Sequence, residues 1–355
     1  METIKRLTIR DIAAAAGVST QTVSRVLNDR PDVAPETLSR VREVIKKTGY
    51  TPNMVARSLI QGRSHVLGVV ASGIEYFGPS RIITGIERQA DAMGYSITLS
   101  LILEPQTEDV ERILHGLRAR QVDGVVWAIP EIGKNRAWCR RQSSRLPVPV
   151  VLVGGMTGRA YLPSIGIDNE TIGRMATEYL IAGGAKTVGI ITGPSSWWEA
   201  GARLRGWRQS LEAHGLNAAD SLVVEGDWTA SSGEQGLCEL LDRRPDIDAV
   251  FASNDQIALG VLQEAHRRGK KIPDEISVVG VDDIEEAAHF WPPLTTLRQP
   301  LYESGVLAVQ EVDRLIGREQ ASRSSPESAL DTTLFAPELV VRGSSRPVPA
   351  YSSNS

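Results

Sequence analysis

Between residues 66 and 281, short runs rich in Val, Ile and Leu alternate with amphipathic stretches, and the alternation runs through twice. The first series has strand-like runs at Val66–Val70, Tyr95–Leu101, Val122–Trp127 and Val148–Val153, with helical spacing at Pro79–Met93 and Thr107–Arg118. The second has strand-like runs at Thr187–Thr192, Leu222–Glu225, Ala249–Ser253 and Ser277–Val281. Its helical spacing falls at Asn169–Ala182, Ala202–His214, Ser231–Asp242 and Asp255–Arg268. Apolar strands alternating with helices need both faces covered, the condition met by doubly wound parallel sheets. The pattern predicts two α/β lobes in sequence, with strand ends and loops turned towards a cleft between them.

Ahead of residue 63 the periodicity is purely helical. Thr8 is a good N-cap for a short helix with apolar residues at Ile9, Ile12, Ala13 and Ala16, which Gly17 stops. Ser19 can cap a second helix whose stripe is Val23, Val26 and Leu27 and whose exposed face carries Thr20, Gln21, Ser24, Arg25 and Asn28. Gln and Arg can each make paired hydrogen bonds to base edges, so this face suits the DNA major groove. A third helix from Pro35 to about Lys47 closes the head with Leu38, Val41, Val44 and Ile45, although Ala34 stands where a capping hydroxyl is expected. Charge agrees with this reading. The chain carries −4 overall, yet residues 1–62 hold 10 Lys or Arg against 6 Asp or Glu, leaving 29 against 37 beyond. A basic head on an acidic body places the phosphate attraction at the helical pair.

Ala-Gly-Val-Ser at 16–19 and Thr-Gln-Thr-Val-Ser-Arg-Val-Leu-Asn at 20–28 resemble the helix-turn-helix of the lactose repressor (LacI) family of bacterial transcription factors. The likeness continues through Gly49–Asn53 and Ala56–Leu59, and returns at Ser253–Gly260 and Ile276–Gly280. It spans roughly residues 7–342. The resemblance implies a DNA-contact set that adds Thr8, Ser19, Tyr50, Asn53, Ala56 and Leu59 to the polar helix face, with Leu59 wedged between base pairs of the minor groove. It implies a head at 1–51, a hinge helix at 52–62 and an effector-binding and dimerisation domain at 63–345 of the type I periplasmic sugar-binding fold. Lobe 1 is expected at about 63–164 and 297–325 and lobe 2 at about 165–296 and 326–345. The chain then crosses near Ser164–Asp168, Pro292–Leu297 and Ser322–Asp331, and 346–355 form a flexible tail.

Sugars are held by aromatic faces and by planar polar groups that bind adjacent hydroxyls. Asn254 and Asp282 follow predicted strands and so face the cleft, while Asp255 and Asp283 are better placed to cap helices. The resemblance puts the effector-binding arginine of Ala202–Trp207 at Arg205, the stacking indole of Glu225–Trp228 at Trp228, and the ligand border at Ser72, Pro79 and Ile82. Three departures are visible. Gly154 stands where an acidic contact is expected, Leu301 replaces an aromatic residue, and Ser195–Trp198 lengthens a loop and adds two tryptophans. These features point to a galactoside, glucoside or related saccharide, with a nucleoside or sugar-phosphate corepressor as the alternative and a solute-binding protein a distant third. The expected partners are a near-palindromic double-stranded operator, a saccharide effector and a second copy, since no Leu heptads mark a larger assembly.

No GxxxxGK[ST], GxSxG or HExxH segment occurs, and five scattered histidines suggest neither metal nor catalysis, so an enzyme and a cofactor are not expected. Cys139 and Cys238 form no CxxC pair and read as packing thiols. No apolar run nears the roughly 18 residues of a membrane span, and the start lacks a secretory signal, so a cytoplasmic protein is expected.

Overall fold

The helical head begins on a capping box. In a computed structural model, which describes residues 7–27, 30–50, 63–104, 110–142, 146–154, 162–321 and 332–349, the backbone N–H of Asp11 reaches the Thr8 hydroxyl while the Asp11 carboxylate accepts from the Thr8 N–H at 2.7 Å. Helix α1 (Ile9–Ala16) ends at Gly17, whose φ of +63° only glycine adopts without strain. Ser19 accepts from the Thr22 N–H at 3.0 Å and starts α2 (Thr20–Leu27). Helix α3 (Pro35–Thr48) starts at Ala34 without a side-chain cap. Ile12, Ala13, Ala16, Val23, Val26, Val41 and Tyr50 close over one another as the core. The structure thus places the Tyr50 ring in the core, not on the polar face where a DNA contact was expected.

The chain divides into two compact units at Ser64 and His65. The second unit holds two six-stranded sheets. Strands β1 (Val66–Ala71), β2 (Ser96–Leu101), β3 (Gly124–Ala128), β4 (Val150–Val153), β5 (Ser164–Ile167) and β11 (Thr332–Phe335) form the first, in the order β11-β5-β4-β3-β1-β2 and parallel throughout. The second is β12-β10-β9-β8-β6-β7, made of β6 (Val188–Thr192), β7 (Val223–Glu225), β8 (Ala249–Ala252), β9 (Ser277–Asp282), β10 (Thr295–Arg298) and the antiparallel β12 (Glu338–Val340). The central strands are buried on both faces, as their unbroken apolar sequences require.

Three details depart from the sequence reading. Ser164–Ile167 is a strand of the first sheet, pairing Leu152 with Ser164 and Val153 with Ile165, and not a crossing. Thr295–Arg298 is a strand of the second, and the crossings fall at 168, 299–300 and 336–337. Lobe 1 therefore keeps β5 and gains β11, while lobe 2 keeps β10; these strands are short and carry Ser, Thr and Gly, so they read as connections. The stretch 322–331 lies outside the described residues, as do Asn28 and the hinge, with Asn53, Ala56 and Leu59. Sequence reading also passes over the 21-residue helix Leu301–Ala321, which packs Ala308, Val309, Val312 and Ile316 on the first sheet. Cys139 is buried among apolar groups, as expected. Cys238 is half-buried with its thiol 2.9 Å from an Arg268 Nη2, so it is not simple apolar packing.

Candidate functional site

A cavity of about 590 Å³ lies between the two lobes, at the carboxyl ends of their strands. Its walls differ in kind. The first lobe presents Tyr76, Phe77, Pro79, Ile82, Ala128, Val153 and Ile165, a largely apolar face that also carries Glu75 and Ser304. The second lobe presents Asn169, Glu199, Arg203, Asn254, Gln256, Asp282 and Gln299, with Trp197 and Trp228 standing over them. One side is closed where the loop after β3 meets the loop after β6: the Gly133 N–H donates to the Ser196 carbonyl and the Trp198 N–H to the Glu131 carbonyl, both at 3.0 Å.

The charged floor is built from helix packing. Helices α4 (Asn169–Ala182) and α5 (Trp198–Ala213) cross so closely that a Cβ on Gly173 would lie 2.0 Å from the Arg203 carbonyl and one on Gly206 2.1 Å from that of Glu170. This fixes Arg203, which is 5 % exposed. Its Nε donates to the Asn169 Oδ1 at 2.8 Å, its Nη1 to the Ser253 carbonyl and its Nη2 to the Gln299 Oε1 at 3.3 Å, and its guanidinium lies 5.8 Å from the centre of the Trp228 ring. Gln299 in turn donates to the Asp282 Oδ1 at 2.5 Å. Burial pushes the Asp282 carboxyl up to about 6, against the opposing pull of Arg203 and Gln299.

The arginine of this run that lines the cavity is Arg203, and Arg205, expected there, does not reach it. Two residues turn a helix by about 200°, which carries Arg205 to the solvent side, where its Nε meets the Glu170 Oε2 at 3.2 Å. Asn254 reaches the cavity, but both ends of its amide are engaged. Its Oδ1 accepts from the Ile257 N–H at 2.8 Å, so Asn254, not Asp255, caps the following helix, and its Nδ2 donates to the Trp228 carbonyl at 3.0 Å. Asp255 instead accepts from Thr296 at 2.6 Å and from the Ile284 N–H at 2.9 Å, and Asp283 pairs with Arg298 and Arg342. Pro79, Ile82, Trp228, Asp282 and Leu301 line the cavity as expected, while Ser72 is buried at the end of β1 and does not.

The tryptophans form one set with Tyr76. Trp197 stands edge-on to Tyr76 at 5.7 Å and to Trp228 at 5.6 Å. Trp228 holds φ of +72° and Asp282 φ of +118°, backbone values rare for such residues, and both line the cavity. Gly193 makes room for the indole, since a Cβ there would lie 2.1 Å from Trp228. Gly193→Ala is expected to displace Trp228 at a cost of about 1–3 kcal/mol. Trp fluorescence and thermal unfolding check this, an unchanged emission maximum and unfolding temperature being the contrary result.

On the head, Thr8, Ser19, Thr20, Gln21 and Arg25 are exposed and Ser24 is half-buried, so most of the described residues expected on the polar face of the second helix lie at the surface. Arg25 sits 3.3 Å from Asp32 with both side chains about half exposed, a pair that DNA phosphates can displace.

Residues 8–53 match the model for bacterial regulatory proteins of the lacI family, and residues 177–345 that for a periplasmic binding protein-like domain. The lactose operon repressor of Escherichia coli (strain K12) is 31% identical over 93% of this chain and 90% of its own, and that bacterium's ribose operon repressor 33% identical over 95% and 99%. A crystal structure of the Lac repressor dimer bound to operator and the anti-inducer ONPF superimposes with a TM-score of 0.83 at 30% identity, covering 97% of this chain and 100% of that one. A complex of the transcriptional regulator CelR with cellobiose gives 0.68 at 30% identity, covering 96% and 100%.

Proposed function

Because the chain belongs to the lacI family of bacterial regulatory proteins, a family of DNA-binding transcriptional repressors rather than enzymes, we propose that it is a homodimeric repressor released from its operator by a neutral saccharide bound between its lobes. The observation that carries the effector class is the state of Arg203, the arginine among the described residues that line the cavity. Each of its three nitrogens already donates to a protein acceptor, and the carboxyl groups of Glu75, Glu199 and Asp282 outnumber it among the described lining residues. A phosphate would face three carboxyl groups and an arginine already held by protein acceptors, which argues against a sugar-phosphate. Aromatic rings beside hydroxyl acceptors suit the apolar face and polar edge of a pyranose.

The domain plan carries over as part of this reading: a head at 1–51, a hinge at 52–62 and an effector body beyond. Thr20, Gln21 and Arg25 read base edges, and the hinge, with Leu59 as its wedge, transmits the state of the lobes. The exposed Leu99, Leu101 and Leu103 at the edge of the first sheet, and the 90 % exposed Trp291, support a second copy as the partner that covers them.

Mobility shift of duplexes from the gene's own upstream region, with the full-length protein and with cellobiose or lactose added, tests the whole reading; no retarded complex at any salt concentration would sink it. Leu59→Ala is expected to weaken operator binding roughly tenfold or more without changing sugar affinity. Sugar affinity should itself fall as pH drops through about 6, because protonation of Asp282 removes an acceptor, and Asp282→Asn should flatten that profile in calorimetric titration. Stability runs the other way. Burial raises this carboxyl's pKa, so its ionisation costs folding free energy above pH 6, and acidification through that window does not by this group unfold the body.

A further inference from the structure

At the floor of the cavity most polar groups already have partners within the protein. Arg203, Asn254, Asp282 and Gln299 are joined to one another or to the backbone as described, and Asn169 accepts from Arg203 and donates to the Ile167 carbonyl at 3.1 Å. Glu199 differs. It is the second residue of α5, it lines the cavity, and its Oε2 is shielded from solvent with no hydrogen-bond partner. A shielded carboxylate oxygen without a donor is costly and calls for one.

The first lobe places no side chain from Gly154 beside it. Gly154 ends β4 in a left-handed conformation, φ +74°, and presents no side chain; a Cβ there would stand 3.6 Å from the Glu199 Oε1 and 3.6 Å from an Arg136 Nη2. Arg136 does not neutralise Glu199 through a hydrogen bond. Its Nη2 donates to the backbone carbonyls of Ile129 at 3.0 Å and Val153 at 2.7 Å. Glu131, itself 8 % exposed, adds a second carboxylate to the same neighbourhood. In this corner the Glu199 Oε2 and Glu131 Oε2 are shielded oxygens without a hydrogen-bond partner, and the Arg136 Nε is a shielded donor without one.

We infer that Glu199 is a specificity-determining residue of the effector site: its carboxylate accepts hydrogen bonds from hydroxyls of a neutral saccharide at the seam between the lobes. The inference rests on the saccharide reading above. The acidic contact expected at position 154 is then supplied from the other lobe, which contributes most of the polar lining groups.

Calorimetric titration of the full-length protein with cellobiose, lactose and glucose tests this, using wild type, Glu199→Gln, Glu199→Ala and the solvent-facing Arg205→Ala. Glu199→Ala should bind the best of these sugars about tenfold to a hundredfold more weakly, Glu199→Gln should lie between, and Arg205→Ala should match wild type. Deoxy analogues of that sugar, each lacking one hydroxyl, separate contact from structure. For the hydroxyl that Glu199 holds, wild type and Glu199→Ala should bind the deoxy sugar equally, a convergence that a merely structural role would not produce. Binding within twofold of wild type by Glu199→Ala, or an equal loss for every analogue, overturns the inference and leaves the saccharide reading standing. A wild-type protein that binds none of the sugars overturns both.

Discussion

Arg203→Ala is expected to abolish the thermal response to cellobiose or lactose and to lower the unfolding temperature of the α/β body, while Arg205→Ala does neither. Arg203 holds Asn169, Ser253 and Gln299 in place and is the cationic neighbour of the buried Asp282. Removing one member of such a set leaves a buried charge and several polar groups without partners, a loss of about 3–5 kcal/mol. Arg205 is half-exposed and paired only with the partly exposed Glu170, a surface interaction of roughly 0–1 kcal/mol. Differential scanning fluorimetry of the two variants with and without sugar decides it. A preserved sugar response in Arg203→Ala, or its loss in Arg205→Ala, would return the binding role to the position first expected from the sequence.

Ile12→Ala should eliminate operator binding without changing sugar affinity. Ile12 is fully buried in a core of seven residues, and truncating a buried isoleucine costs about 2–5 kcal/mol. A head of this size has little stability to spare, so such a loss leaves most of it unfolded at equilibrium. The α/β unit has its own apolar clusters and keeps its fold. Mobility shift alongside calorimetric titration checks both halves of the expectation; simultaneous loss of sugar binding would mean that the two units do not fold independently.

The head was legible almost residue by residue, because its elements are short and their signals local. Thr8, Gly17 and Ser19 act on the chain within three residues of themselves, and a helix stripe is visible in the sequence as spacing. The central strands of both sheets were legible for a related reason, since burial on two faces leaves an uninterrupted apolar run. The outer strands were not. Ser164–Ile167 and Thr332–Phe335 pair with each other, and their contact joins residues more than 160 positions apart that no local pattern connects.

The effector site divides along the same line. Asn254 and Asp282 stand at strand ends, where the rule that such loops face the cleft put them, and Trp228 was placed by the family resemblance; all three line the cavity. Arg203 and Glu199 lie on a helix where rotation decides everything. The run Ala-Arg-Leu-Arg-Gly-Trp offers two arginines that composition cannot separate, and the choice between them was made by the approach of Gly206 to the backbone of Glu170. Glu199 carried no signal of its own, for its significance comes from the bare Gly154 across the cleft.

The amino-acid sequence by itself determined the periodicities, caps and strand ends, and with them the helical head, the paired α/β lobes and the loops that meet. Only the tertiary structure decided which side chains share one cavity, which of them are already satisfied and which carboxylate is left open. Hydrogen-bond partners at such a site come from distant parts of the chain, and no single stretch of it contains the pair.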